Sequence, residues 1–332
     1  MRFGPVPVDA ALGTILAHSQ AVPGGRLRKG RVLEAEDVAR LRAAGLTEVT
    51  VARLDPGDWH EDAAAAHLAA ALVGDASGLR LTAAATGRVN VYAEAPGLLR
   101  LDRAAVDGFN GIDPMITVAT LPPLARVAPR TMVATIKIIA YGVGGDAVAA
   151  AAAAGEAGLS LAPVALRSAG LIVTAMDAGP GDGKGRKAVS DRLAALGMDL
   201  AAAVTVPHEA GAIARALADL PGELALILTA SATSDPEDVA PSAVRAAGGT
   251  VTRFGMPVDP GNLLFLGEAQ GRPVIGLPGC ARSPALNGAD WVLERVACAV
   301  PVGGAEIAAM GVGGLLKESP ARPAPRARAA PG

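Results

Sequence analysis

Between Gly170 and about Val300 the chain alternates short apolar runs with helical stretches, and that alternation narrows the architecture more than any other feature. Gly170–Thr174 (GLIVT), Leu200–Val206, Leu224–Leu228 (LALIL), Thr250–Phe254 and Arg272–Gly276 read as strands. Lys187–Leu196, Glu209–Leu220, Pro236–Ala247 and Gly288–Val300 read as helices. A strand that is apolar at every position has no face to give to water, so it must be covered on both sides. Helices returning between such strands supply the cover and make the sheet mostly parallel. The predicted fold class is therefore α/β, with a three-layer α/β/α domain over 168–300. In sheets of this kind ligands bind outside the carboxyl ends of the strands, so the loops leaving those ends are where chemistry is sought.

Residues 1–165 follow a different rhythm, read as an α+β region. Glu34–Gly45 is an amphipathic helix closed by a glycine, Val49–Val51 a short strand, and 61–73 (EDAAAAHLAAALV) a second helix. Runs such as Met115–Val118 and Met132–Ile139 are rich in β-branched residues, with Lys137 read as an edge-strand lysine. Asp102 and Asp107 fall near turns and receive no role. From about Lys317 to Gly332 the sequence is Pro, Ala and Arg (ESPARPAPRARAAPG), which buries too little surface to fold and is expected to be a disordered tail.

The 332 residues, 51% of them hydrophobic, suffice for two cores. The most apolar stretch, 147–175, is no membrane span, because Glu156, Arg167, Gly155, Gly158 and Pro163 interrupt it. The start, Met1-Arg2-Phe3-Gly4-Pro5, lacks the apolar run of a signal peptide, so a cytoplasmic location is expected. Thirty basic against 32 acidic residues give −2, and aromatics are 2%, so neither a nucleic-acid partner nor a membrane partner is expected. Two cysteines and four histidines, scattered, form neither a disulfide framework nor a structural zinc spacing.

Four loops leave strand ends. In Thr174-Ala-Met-Asp177-Ala-Gly179-Pro-Gly181-Asp-Gly-Lys-Gly185 the glycines let backbone approach a phosphate, although the run has neither the G-x-G-x-x-G register nor a P-loop Lys-Ser/Thr. Thr229-Ala-Ser231-Ala-Thr233-Ser234-Asp235-Pro-Glu-Asp238 crowds hydroxyls and acids before a helix; Ser234 or Asp235 as N-cap with Pro236 at the first helical position explains part of it. Gly255-Met-Pro257-Val-Asp-Pro-Gly261-Asn262 and Leu277-Pro278-Gly279-Cys280-Ala-Arg282-Ser283 are Pro/Gly turns, and Arg282 is the cation suited to a phosphate. Together they predict one anion-accepting pocket.

In this order the loops resemble the molybdopterin-binding domain of molybdenum-cofactor biosynthesis proteins, the molybdopterin adenylyltransferase and molybdotransferase families. The resemblance is carried by Thr174…Asp177, Val206-Pro207-His208-Glu209, Ser231-Ala-Thr233-Ser234…Asp238-Val-Ala-Pro241, Met256-Pro257…Pro260-Gly261-Asn262 and Leu277-Pro278-Gly279. Gly13–Ala17 and Gly30–Val51 resemble molybdotransferase N-terminal regions. Met132–Ile139 and Met310–Lys317 are similar to a bacterial molybdopterin-binding group often fused to a molybdenum-cofactor nucleotidyltransferase.

The resemblance implies molybdopterin or the molybdenum cofactor as ligand, with Thr174, Gly179, Gly181, Ser231, Thr233, Ser234, Pro257, Gly261, Asn262, Pro278, Gly279, Arg282 and Ser283 as binding residues. It implies Asp177, Asp238 and Glu209 as catalytic acids if the chain is a transferase, with Mg²⁺ on Asp177 and Asp238 and a nucleotide as co-substrate. The chain departs from the families' pattern at His208, where they carry Asp, and at Cys280-Ala281, where they carry Asn-Pro. Losing that acid weakens a cation site, so binding during maturation or hand-over of the cofactor is the leading expectation. A Mg-dependent transferase of the same pathway is the alternative, and a nicotinamide dehydrogenase or a ligand-free module the more distant ones. Implied partners are a nucleotidyltransferase or a molybdoenzyme-maturation protein, and homo-oligomerisation is left open.

Overall fold

The computed structural model describes residues 1–75, 78–176 and 182–316. The sequence-predicted tail at 317–332 lies outside them, as do Asp177, Gly179 and Gly181. The described residues fold into two units, Met1–Ala95 with Leu99–Leu161, and Pro96–Leu98 with those from Ala162 onward.

The first unit is α+β. Strand Glu48–Arg53 pairs antiparallel with Arg2–Pro7 on one side and Ile15–Leu16 on the other. Helix Ala35–Ala43 begins with a capping box between Glu34 and Asp37, and the chain leaves it through Gly45. A second, antiparallel sheet runs in the order Ile116–Thr120, Met132–Ile138, Arg88–Ala93, Leu79–Leu81. Helix Glu61–Val73 turns Leu68 and Leu72 into the core that this sheet shares with Phe109. Phe109 belongs to helix Arg103–Ile112, which sequence reading passed over; Asp102 is its N-cap, accepting from the Ala104 N–H at 2.8 Å. Lys137 is no edge residue, since its strand is flanked on both sides, and its ammonium donates to the Thr86 carbonyl.

Among the described residues the second unit is built on a six-stranded sheet and the helices that cover it: β1 (Ser168–Ala175), α1 (Gly183–Ala195), β2 (Asp199–Pro207), α2 (Ala210–Asp219), β3 (Leu224–Leu228), α3 (Val239–Ala246), β4 (Thr250–Phe254), β5 (Phe265–Ala269), β6 (Arg272–Leu277) and α4 (Gly288–Ala297). The sheet order is β2-β1-β3-β6-β5-β4. The first four are parallel, and β5 runs against both β6 and β4. The strand period of two divides each central strand between two cores. Leu171, Val173, Leu226, Leu228 and Ile275 pack with Val189 and Leu193 of α1 and Val292 and Leu293 of α4. Ile172, Ala225, Ile227 and Val274 pack with Ile213 and Leu217 of α2 and Ala243 and Val244 of α3. Each fully buried Leu or Ile contributes about 1.5–3 kcal/mol by leaving water. The result is a three-layer α/β/α unit with a mostly parallel sheet.

One strand of this six-stranded sheet was not foreseen. β5 pairs Phe265 directly with Gly276 of β6, and a Cβ on Gly276 would sit 1.9 Å from the Phe265 ring. The aromatic ring thus takes the space that a side chain at 276 would need.

Candidate functional site

Parallelism puts the carboxyl ends of β1, β2, β3 and β6 on one edge of the sheet. β4, antiparallel to β5, ends there too, so all four sequence-predicted loops open on that edge.

Hydrogen bonds fasten three of these strand ends together through Thr174. Its hydroxyl oxygen accepts the Ala230 N–H, just past β3, at 2.7 Å, and lies 2.9 Å from His208 Nδ1, just past β2. Thr174 is buried, as a group bridging three strands must be. Beside it Thr229 donates to the Ser231 carbonyl at 2.6 Å and lies 3.3 Å from the Thr233 hydroxyl, which turns the start of the 229–238 loop back on itself. Thr233 is buried with Thr229, whereas Ser231 and Ser234 are exposed.

The fourth strand end joins through Arg282. Its Nη2 donates to the Thr229 carbonyl at 2.7 Å, and its Nε to Asp182. Asp182 is the N-cap of α1, accepting the Gly185 N–H at 2.8 Å. Burial pushes the Asp182 carboxyl up, but the Gly185 N–H and the Arg282 guanidinium outweigh it and hold the group below the usual carboxylate range. Arg282 is therefore a paired and oriented cation. A Cβ on Gly279 would lie 3.7 Å from its Nη1, so Nη1 stands over the bare backbone of Gly279, which is exposed. Among the described residues no partner takes the N–H groups of Nη1, and these are the ones offered to an oxyanion.

Asp238 caps α3. Oδ1 accepts the Val239 N–H at 2.7 Å and Oδ2 the Ser234 N–H at 3.0 Å. These two N–H groups hold its carboxyl below the usual range against its burial. The helix starts three residues later than predicted because Asp235 spends its side chain on a turn, taking the Glu237 N–H at 2.7 Å. Glu209 is exposed at the start of α2 and its side chain makes no capping bond.

The loop after β4 is anchored elsewhere. The Gly288 N–H donates to the Pro260 carbonyl at 2.8 Å, and the Asp259 N–H to the Gly314 carbonyl at 2.8 Å. Gly261 has φ +142°, and a Cβ there would stand 2.7 Å from the Gly288 nitrogen. Only glycine allows this approach to the head of α4. Asn262 donates to the Met256 carbonyl at 3.4 Å, and Pro257 is exposed. Thr174, Thr233 and Arg282 thus share one bonded group, while Pro257, Gly261 and Asn262 are positioned by α4 and the 314–316 segment.

Sequence reasoning missed the residue that shapes the fourth loop. Arg192 of α1, its side chain only 10% exposed, donates to Asp290 at 2.5 Å and to the carbonyls of Ala281 (2.8 Å), Ser283 (2.7 Å) and Ala285 (3.2 Å). Asp290 also accepts the Asn287 N–H at 2.7 Å in a capping box that opens α4. Pro278 is buried and Ser283 exposed, its hydroxyl accepting the Ala285 N–H at 3.2 Å. The one local signal was an arginine beside the apolar Val189/Leu193 stripe of α1.

Among the described residues no cluster of three or more His, Cys, Asp or Glu side chains is placed to hold a metal ion. Among them, too, no helix is long and apolar enough to cross a membrane.

Comparison with known proteins gives three findings. A family described as a domain of unknown function (DUF8806) matches residues 5–53. No curated protein matches the chain. Among solved structures, a molybdopterin biosynthesis MoeA protein from Pyrococcus horikosii is similar at 15% identity, over 90% of this chain and 76% of that one, with a TM-score of 0.33. A molybdenum cofactor biosynthesis protein from Pyrococcus furiosus is similar at 13% identity, over 85% of this chain, with a TM-score of 0.21; the present chain spans 59% of its length.

Proposed function

We propose that the carboxyl edge of the second unit's sheet binds molybdopterin, or the molybdenum cofactor built on it, during maturation or hand-over to a partner. The observation that carries this reading is the bonding of Thr174 and Arg282, which draws the ends of β1, β2, β3 and β6 into a single polar edge. The Arg282 Nη1, held over Gly279, suits a terminal phosphate. The hydroxyl-rich 229–234 loop and the Pro278-Gly279 turn offer backbone groups to a flat heterocycle. The motifs of the molybdopterin-binding families fall on these loops, and Asp177, Gly179 and Gly181 would extend the site from the first of them. Pro257, Gly261 and Asn262 would close its far side. The receiving partner would be a molybdenum-cofactor nucleotidyltransferase or a molybdoenzyme-maturation protein.

Holding is preferred to turnover because both Asp238 oxygens already take backbone N–H groups. The test is purification of the full chain under reducing conditions, oxidation, and detection of fluorescent pterin. Pterin is expected with the wild type and about tenfold less with Arg282→Met, the loss of one charge-assisted hydrogen bond of about 1.5 kcal/mol. A wild type free of pterin after expression in a pterin-producing host refutes the reading. Consumption of molybdate or nucleotide that disappears in Asp238→Ala would instead identify the Mg-dependent transferase, with Asp177 and Glu209 as its other acids.

A further inference from the structure

Thr174 has one hydroxyl proton to place. Its oxygen accepts the Ala230 N–H at 2.7 Å, and 2.9 Å away stands His208 Nδ1. Among the described residues these are its only hydrogen-bond partners. A ring proton on Nδ1 would make the Thr174 oxygen accept twice and strand its own proton inside the protein, where unpaired donors are rare. A proton given by Thr174 to a bare Nδ1 satisfies every group. The ring's remaining proton then lies on Nε2, which has no hydrogen-bond partner among the described residues, and His208 is half-buried at the open edge.

We infer that Thr174 locks His208 as the Nε2–H tautomer, and that this ring N–H is a fixed donor that reads a neutral acceptor on the bound ligand. The neutrality follows from the surroundings. Asp238 opens α3 on the same edge of the sheet, and Glu209 is the next residue. An oxyanion seated at Nε2 would meet that acidic flank, whereas a lactam carbonyl or ring nitrogen would not. The phosphate belongs at Arg282, and the heterocycle's carbonyl edge at His208. This assignment of the ligand rests on the proposed function; the tautomer lock does not.

Nitrogen-15 NMR of the ring in the full chain, recorded with the ring neutral, tests the lock without ligand. Nδ1 is expected unprotonated with a hydrogen-bond shift, losing that shift in Thr174→Val and recovering it in Thr174→Ser, which keeps the hydroxyl. A proton on Nδ1, or a ring indifferent to Thr174→Val, overturns the lock. Titration with unsubstituted pterin, which has the lactam carbonyl and no phosphate, tests the reading of the acceptor. His208→Leu should weaken binding about tenfold, while His208→Gln, which can place an amide N–H near the Nε2 position, should stay within about threefold of wild type. Equal binding by His208→Leu overturns the donor role. A wild type that ignores pterin overturns the proposed function together with the donor role, and the NMR result still decides the tautomer.

Discussion

Replacing Arg192 by Met should loosen the fourth loop and cost much of the second unit's stability. The guanidinium is nine-tenths buried and joins an equally buried Asp290 while it donates to carbonyls along 281–285. Methionine keeps the aliphatic stem but strands the Asp290 carboxylate. Removing one member of a buried ion pair costs about 3–5 kcal/mol, mostly because the other charge remains inside. For a unit of this size about 4 kcal/mol corresponds to roughly 8–16 °C in melting temperature. Trp291 adjoins Asp290 on α4, and Trp59 is the chain's only other tryptophan, so Trp59→Phe leaves a reporter of the second unit alone. Urea unfolding followed by Trp291 fluorescence should show the loss in Arg192→Met and a smaller one in Arg192→Lys, whose ammonium still faces Asp290 but cannot also gather the carbonyls of 281–285. Arg192→Met/Asp290→Asn should recover part of the loss because no charge is stranded. A fall under about 1 kcal/mol, or strict additivity in the double variant, refutes the assignment of Arg192 as the loop's anchor.

Two further outcomes follow from local geometry. The Asp238 carboxyl is held low by the Ser234 and Val239 N–H groups; its capping contribution should be full above its unfolded value of about 4 and vanish as pH falls through the lower folded value, so wild-type and Asp238→Asn stability curves should converge in acid and separate by about 1 kcal/mol at neutral pH. Gly276→Ala places a methyl against the Phe265 ring and should destabilise by about 1–3 kcal/mol, with Phe265→Leu in the same chain restoring part of it, both read by urea unfolding.

Much of the second unit was legible because its strands are apolar at every position and its helices separate them. Leu224–Leu228 and Thr250–Phe254 have the predicted limits, and β1, β2 and β6 differ by at most a few residues. β5 escaped because FLGEA carries a Gly and a Glu, and because it enters antiparallel, with no helix before β6 to announce it. Helix Arg103–Ile112 is hard to see in the sequence because Gly108 and Gly111 are poor helix formers, while Phe109 decides the matter by packing into the core. At the candidate site the sequence offered residue types but no pairings. That Arg282 would be shared by Asp182 and Thr229, about 100 and 53 residues away in sequence, is a fact of topology. So is Arg192, about 90 residues from the carbonyls it gathers. Asp182 caps α1 from just ahead of Gly-Lys-Gly, about a turn before the helix was expected to start.

The reversed strand β5 divides the sheet's two rims by what they tolerate. Its short link to β6, Gln270–Gly271, turns at the rim opposite the strand-end loops. A fluorophore, an affinity tag or a new pair of termini grafted at that link would leave the rim that carries the strand-end loops untouched. The same alteration beside Gly261, pressed against the head of α4, would disturb it at once.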